Sequence, residues 1–497
     1  MKKYVYLMTG NDVWIDAAIH LYQKKIAKPI LWLGDDRHFN KAKEIFSDDV
    51  LFMNTFVHYQ ENIDQINYTD EKTEFFFSKN YLRAKDRCLK MMDRLDLYGS
   101  FSRQDREVIF NKIAIFLLKK LSKEKPDALV MAEIAHSHAQ YLVLEVCLFL
   151  NIEIVKFNTW ILGPLLYLEN LRTGQRFEVD YEIDSEISRT IENEIDNYID
   201  SIIEKKNEGD FELEYMKNQR LNLTFKNKIL SFIKSGWLDF IKECWFQFRK
   251  NIKNNYYQIN PYKYGFYTRS KIKRIRRSNL IKEQNKNVAK LNLSNKFVYF
   301  ALHFEPERTT NPDGGVFHDQ FLAILSLRSI LPREIKIIVK EHPSQFYIYD
   351  RGSRGRSPLF YDLIKNIDGV ELVDYMENSF KLISKAEMTA TISGTIALES
   401  AIIGKQSLIF GNAWFNNCPN VTSWSKDLTY KSIIDKNIVD SNSIRSFLKE
   451  SKKKHTVLGC QNTSCQNTYS KYLNFQHFSS QEFQGVTHLL KQFFQSI

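Results

Sequence analysis

The sequence predicts an α/β protein, with two Rossmann-like domains facing each other across a cleft and a basic helical insertion between them. Three observations lead there. Short β-branched runs end in glycine or in clustered polar residues, and a helical pattern follows each. This grammar occurs in two blocks, residues 1–215 and 291–440, separated by a segment of different composition at 216–290. The 497-residue length also exceeds one ordinary core.

In the first block, "KYVYLMTG" reads as a strand closing at Gly10 and "PILWLGDD" as a strand reaching Gly34. Residues 37–100 are charged and aromatic, helical in places and without a sharp strand. Residues 107–121, "EVIFNKIAIFLLKKL", place apolar side chains at helical spacing. "PDALVMAE", "HSHAQYLVLEVCLFL" and "NIEIVKFN" then give strand, helix and strand, a βαβ unit whose crossover should be right-handed.

Segment 216–290 carries the basicity. From Lys217 to Lys290 there are 19 Lys and Arg against Asp239, Glu243 and Glu283, so the net charge of +11 belongs here and the remainder is acidic. Aromatic and apolar residues recur among the lysines at helical intervals, as in an amphipathic helix or helix pair. A solvated helical face, a nucleic-acid surface and a membrane-surface anchor all fit that pattern. No nucleic-acid module accompanies it, so no nucleic acid is expected as a partner.

The second block begins at "NKFVYFALHFEPE" with a strand over 297–303, followed by a helix at 317–331 and a strand at 335–340. A helix at 358–366, the strand "GVELVD", a helix at 378–386 and the strand-like "EMTATIS" come next. "GTIALESAIIG" is a helix and "QSLIFG" a last strand, and residues 441–497 read as a polar helical tail.

The six cysteines form no C-x-x-C pair, which points to free thiols rather than a metal knuckle. The N-terminus has only a five-residue apolar run, Tyr4 to Met8, too short for a signal peptide. "YLVLEVCLFL" is too short to cross a bilayer and contains Glu145. A cytoplasmic protein is expected.

Ionisable residues gather where strands of the second block end, and in open α/β sheets ligands bind at the carboxyl ends of strands. "IKIIVKEHPSQF" runs from a buried strand straight into Lys340, Glu341 and His342, and Pro343 stops it. Lys340 and His342 offer positive charge and donors suited to a phosphate, although a bare His-Pro strand terminator reads the same way. "TISGTIALES" passes from strand through Ser393, Gly394 and Thr395 into a helix bearing Glu399 on the face of Thr395. Glycine admits a ligand close to the backbone, and a helix N-terminus favours an anion by about 0.3–1 kcal/mol. A plain Ser/Thr cap with a surface glutamate is the alternative. "ALHFEPERTTNPDGG" brings His303, Glu305 and Glu307 after a third strand, as a ligand cluster or a solvated loop.

Together these stretches resemble the bacterial capsule-polysaccharide glycosyltransferases related to the β-Kdo transferases. The matching residues are Glu305–Pro306, Lys340–Glu341–His342–Pro343 and Ser393–Gly394–Thr395 with Glu399, within residues 297–415. That family has glutamine before the first proline, where this chain has Glu305. The resemblance implies a GT-B enzyme whose C-terminal domain holds a nucleotide sugar, with a CMP-activated acidic sugar among the candidates. His342 would contact the nucleotide phosphate, the turn at 393–395 would cradle it, and Glu399 would face the ribose. The acceptor would be a glycan or a lipid-linked glycan, and segment 217–290 would attach the enzyme to the anionic inner-membrane surface.

No D-x-D occurs in the chain, so neither a metal nor a cofactor is expected beside the nucleotide-sugar substrate. The acceptor's base is expected from the first domain, where "VMAEIAHSHAQ" sets Glu133 and His136 just after a strand, unless Glu133 merely caps the next helix. Glu307 is a further candidate. A nucleotide-sugar epimerase of the same architecture is the rival enzyme, and a membrane- or nucleic-acid-binding adaptor the rival without catalysis.

Overall fold

The computed structural model describes residues 1–8, 11–34, 39–46, 50–54, 72–95, 102–160, 162–208, 219–221, 241, 266–347, 352, 354–469 and 475–497. Gly10 and most of segment 217–290 lie outside the described residues. The strands, in chain order, are β1 (Lys2–Leu7), β2 (Ala27–Gly34), β3 (Leu51–Asn54), β4 (Ala128–Met131), β5 (Glu153–Trp160) and β6 (Leu165–Asn170). They continue with β7 (Phe297–Ala301), β8 (Lys336–Lys340), β9 (Val370–Val373), β10 (Met388–Thr391), β11 (Gln406–Ile409), β12 (Val421–Ser423) and β13 (Val457–Leu458). The chain divides into two compact units, Met1–Asp196 with Lys449–Ile497, and Asn197–Leu448.

The first unit is built on one sheet of order β13-β6-β5-β4-β1-β2-β3 among the described residues. From β3 to β5 the strands are parallel, in the 3-2-1-4-5 order of a doubly wound fold. Alternation along β1 serves two cores: Val5 and Leu7 face the helices at Arg103–Glu124 and His138–Phe149, while Tyr4 and Tyr6 face Trp14 and Phe493. Helices on both faces explain why whole strands read as apolar. β5 and β6 form an antiparallel hairpin that the single strand expected at "NIEIVKFN" did not foresee. β3 likewise falls in the stretch expected to hold no sharp strand.

The C-terminal segment is not an appendage. β13 pairs with β6, and the helix Phe475–Ser496 buries Leu489, Leu490 and Phe493 against the first unit. Its many Gln, Ser and His residues made it read as polar; its buried stripe is what docks it.

In the second unit every strand among the described residues is parallel, in the order β12-β11-β10-β7-β8-β9. Counted within the unit this is 3-2-1-4-5-6 read from the other edge, with the order reversing between β7 and β10. A ligand crevice is expected at that switch point. The helix Phe266–Asn287 belongs to this unit: Leu280 is in its core, Gln284 Nε2 donates to Val373 O (3.1 Å) and Arg277 Nε to Phe346 O (2.6 Å). The end of the basic segment is therefore partly used in folding and not wholly available to a surface.

Candidate functional site

A cavity of about 730 Å³ opens at the carboxyl ends of β7, β8, β9 and β10, on both sides of the switch point. All its lining residues belong to the second unit. They include His303 and Glu307 after β7, Lys340, His342 and Pro343 after β8, and Gly394, Thr395 and Glu399 after β10. The three strand ends singled out in the sequence thus meet in one place.

Strand alternation divides the Lys-Glu-His triplet. Lys340 donates from Nζ to Ser379 Oγ at 2.7 Å and is 7% exposed. Burial brings its ammonium down to about 8, against Glu377 and Asp374, which favour the charge. His342 accepts the Ser344 N–H at Nδ1 (3.1 Å), so in its neutral form the proton sits on Nε2. Burial, with Lys340 and Arg356 nearby, lowers the imidazole to about 4, and at neutral pH His342 is a neutral donor on the cavity wall. Glu341 also belongs to the lining, but its carboxylate is buried and spent on Arg356 and Tyr361.

The turn after β10 is held rather than capped. Ser393 donates its N–H to His303 Nε2 (3.1 Å) and its hydroxyl to Thr309 O (2.9 Å), so its side chain serves the backbone and is not part of the lining. Thr395 makes no cap hydrogen bond; its hydroxyl donates to Glu399 Oε1 at 3.2 Å. Burial raises the Glu399 carboxyl, with Thr395 and Lys205 opposing.

Of the β7 group, only Glu307 offers an open carboxylate, and it accepts from Thr309 Oγ1 at 3.1 Å. Glu305 is turned away from the lining. It is 3% exposed, its Oε1 accepts from Gln320 Nε2 (3.0 Å), and Gln345 Oε1 takes its N–H (2.8 Å). A nucleotide contact by Glu305 is accordingly replaced by a structural role under the loop. His303 has both ring nitrogens engaged, with Ser393 N and with Thr309 Oγ1 (3.3 Å).

Glu133 and His136 lie in the first unit, after β4 and beside β1, at that sheet's own switch point. His136 Nδ1 is 3.0 Å from Ile134 O, which only accepts, so in the neutral form the proton is on Nδ1 and Nε2 carries the lone pair. Glu133 Oε1 stands 3.7 Å from Nδ1. The cap of the following helix is Ser137 with Gln140, not Glu133.

Sequence reasoning missed the loop after β9. Tyr375, Met376, Glu377, Asn378 and Ser379 all line the cavity, and Asn378 caps the next helix by accepting the Lys381 N–H. The strand-end rule that found the other loops, applied to "GVELVDYMENS", would have reached them. Arg220, also on the wall, comes from the basic segment, and no local pattern marks it.

Among the described residues no group of three or more His, Cys, Asp or Glu is arranged to hold a metal ion.

No family model and no curated protein matches the chain. Solved structures similar to it include UDP-GlcNAc 2-epimerase from Methanocaldococcus jannaschii, at 12% identity over 90% of this chain and 99% of that one, TM-score 0.24. Thermosulfurimonas dismutans KpsC, a β-Kdo 2,7 transferase, is similar at 10% identity over 70% and 80%, TM-score 0.26. The Neisseria meningitidis UDP-GlcNAc 2-epimerase bound to UDP-GlcNAc matches at 13% identity over 99% and 98%, TM-score 0.20. At such scores the reading of the site rests on this chain's own residues.

Proposed function

We propose that this chain is a glycosyltransferase of capsule or other surface-polysaccharide synthesis. It binds a nucleotide sugar in the cavity of the second unit and transfers the sugar to a hydroxyl of a glycan or lipid-linked acceptor. The observation that carries this reading is the convergence of Lys340, His342, the turn at Gly394–Thr395 and Glu399 on one cavity at the switch point of a 3-2-1-4-5-6 sheet.

The chemistry needs a leaving phosphate and a base. As the bond from the anomeric carbon to the phosphate oxygen breaks, charge grows on that oxygen; the Lys340 ammonium and the His342 Nε2–H would stabilise it. The acceptor oxygen forms the new bond and gives its proton to a base. Glu307, on the cavity rim, is the candidate in the second unit, and His136, with a free Nε2, the candidate in the first. CMP-linked acidic sugars are among the candidate donors.

Segment 217–290 is proposed to bind an anionic membrane surface at the cytoplasmic face. No helix among the described residues is long and apolar enough to cross a membrane. Co-sedimentation with anionic but not neutral vesicles, weakened by salt, is the expected result; equal binding to both would count against it.

The deciding experiment is a thermal-shift panel of CMP, CDP, UMP, UDP, GDP and ADP on the wild type and His342→Ala. A nucleotide at roughly 100 times its dissociation constant stabilises by about 2.7 kcal/mol. Stabilisation by one nucleotide, lost in the variant, supports the site. No shift with any of them removes the reading. Incubating the matching nucleotide sugar without acceptor then separates transfer from epimerisation, because only an epimerase yields the epimeric sugar from donor alone.

A further inference from the structure

The cavity wall contains a histidine that cannot act as an acid or base where it stands. His303 follows β7 and is 8% exposed. A backbone amide only donates, so the Ser393 N–H, 3.1 Å from Nε2, requires a lone pair there. The ring's one proton is therefore on Nδ1, where it faces Thr309 Oγ1 at 3.3 Å. The Thr309 hydroxyl in turn donates to Glu307 Oε2 at 3.1 Å, which leaves its lone pairs for Nδ1–H. Ser393 Oγ closes the same loop by donating to Thr309 O at 2.9 Å.

We infer that His303 is a positioning residue: as a neutral imidazole protonated on Nδ1, it holds the Ser393 amide and so fixes the turn at 393–395. The clamp spans the switch point, tying the loop after β7 to the turn after β10. Thr391 adds a second tie, its hydroxyl donating to Ala301 O at 3.0 Å. Gly394 fits the clamp closely, since a Cβ there would stand 3.4 Å from His303 Nε2 and 3.1 Å from Thr391 Oγ1. Protonating Nε2 would set a donor against the Ser393 donor, so clamp and imidazolium exclude each other. Burial and the nearby His342 and Arg356 act in the same direction, holding the ring down to about 3. The carboxylates linked to it are Glu307, through Thr309 Oγ1, and Glu305, through Gln320, whose amide also bonds the His303 backbone.

The consequence for ligand binding rests on the proposed nucleotide reading; the tautomer does not. Histidine labelled with nitrogen-15 reports the tautomer directly in long-range proton–nitrogen spectra, and His303→Gln assigns the signal by its disappearance. The expected result is one protonated and one unprotonated nitrogen, unchanged from pH 7 to pH 5. A ring protonated on Nε2, or one that titrates near the usual value of about 6.5, overturns the inference.

Affinity for CMP and UDP supplies the second measurement. His303→Gln offers an amide oxygen to the Ser393 N–H and should bind within about threefold of the wild type, whereas His303→Leu should lose at least about tenfold. Equal loss in both variants, or none in either, removes the positioning role. If the wild type binds none of the six nucleotides of the thermal-shift panel, it is the proposed function that fails, and the tautomer alone decides the clamp.

Discussion

Glu341 and Arg356 form an ion pair with almost no exposure of either side chain. Arg356 Nε donates to Glu341 Oε2 at 2.7 Å and Nη2 to Oε1 at 3.3 Å, with the side chains 5% and 0% exposed. Tyr361 OH donates to the same carboxylate at 3.0 Å, and Arg356 Nη2 also reaches His303 O at 3.0 Å. The pair thus joins the loops after β7 and β8 beside the cavity.

Breaking this pair from one side should be expensive. Glu341→Gln leaves a buried guanidinium without its counter-charge, a loss of about 3–5 kcal/mol. Denaturant unfolding should show that loss, with a smaller one in the double variant Glu341→Leu, Arg356→Met. A double variant as unstable as the single one would mean that the pair contributes packing and not charge compensation.

Lys340 should give stability and binding opposite trends with pH. Its folded ammonium titrates at about 8, below the usual value of about 10.4, so between these values the unfolded chain binds more protons and stability rises with pH. Anion binding needs the ammonium, so nucleotide affinity should fall as pH rises through 8. Titrations from pH 7 to 9 check this. Lys340→Met should bind weakly with no such slope, and a slope unchanged in the variant would assign it to another group.

Much of this arrangement was legible in the sequence, and the exceptions have physical causes. β8 and β10 are buried on both faces, so their β-branched runs stand out and the polar residues that end them are conspicuous. The direction of each polar side chain is another matter. Glu305 and Ser393 lie in the expected loops, yet their partners Gln320, Gln345 and Thr309 are supplied by tertiary folding, which no local spacing encodes. The same holds for β13, a two-residue strand whose place is set by β6, nearly 300 residues earlier by its Val457–Leu166 register.

Glu399 should distinguish nucleosides from bare phosphate. Thr395 Oγ1 fixes one carboxylate oxygen at 3.2 Å; burial raises the carboxyl, and Thr395 and Lys205 oppose it by favouring the charge. If the carboxylate accepts ribose hydroxyls, Glu399→Gln should weaken UMP or CMP by about 1.5–3 kcal/mol, a hydrogen bond to a charged group, and leave inorganic phosphate unchanged. Calorimetric titration of both ligands decides it. Equal weakening of both would place Glu399 at the phosphate.

Glu482, in the first unit, should make stability fall as pH rises towards neutrality. Its side chain is fully buried and accepts from Cys460 N (2.8 Å), Asn11 Nδ2 (3.3 Å) and Gln466 Nε2 (2.9 Å). Burial still outweighs these bonds and raises the carboxyl to about 7. From its usual value of about 4.3 up to 7 the folded state therefore binds the extra proton, and ionisation costs on the order of 4 kcal/mol once complete. Glu482→Gln removes the titration, provided that Gln466 turns its amide to accept from the new one. Unfolding free energies measured from pH 5 to 8 should lose their downward slope in the variant, which should match the wild type at pH 5 and exceed it at pH 8. A variant less stable at every pH would mean that the cluster requires the carboxylate in its charged form.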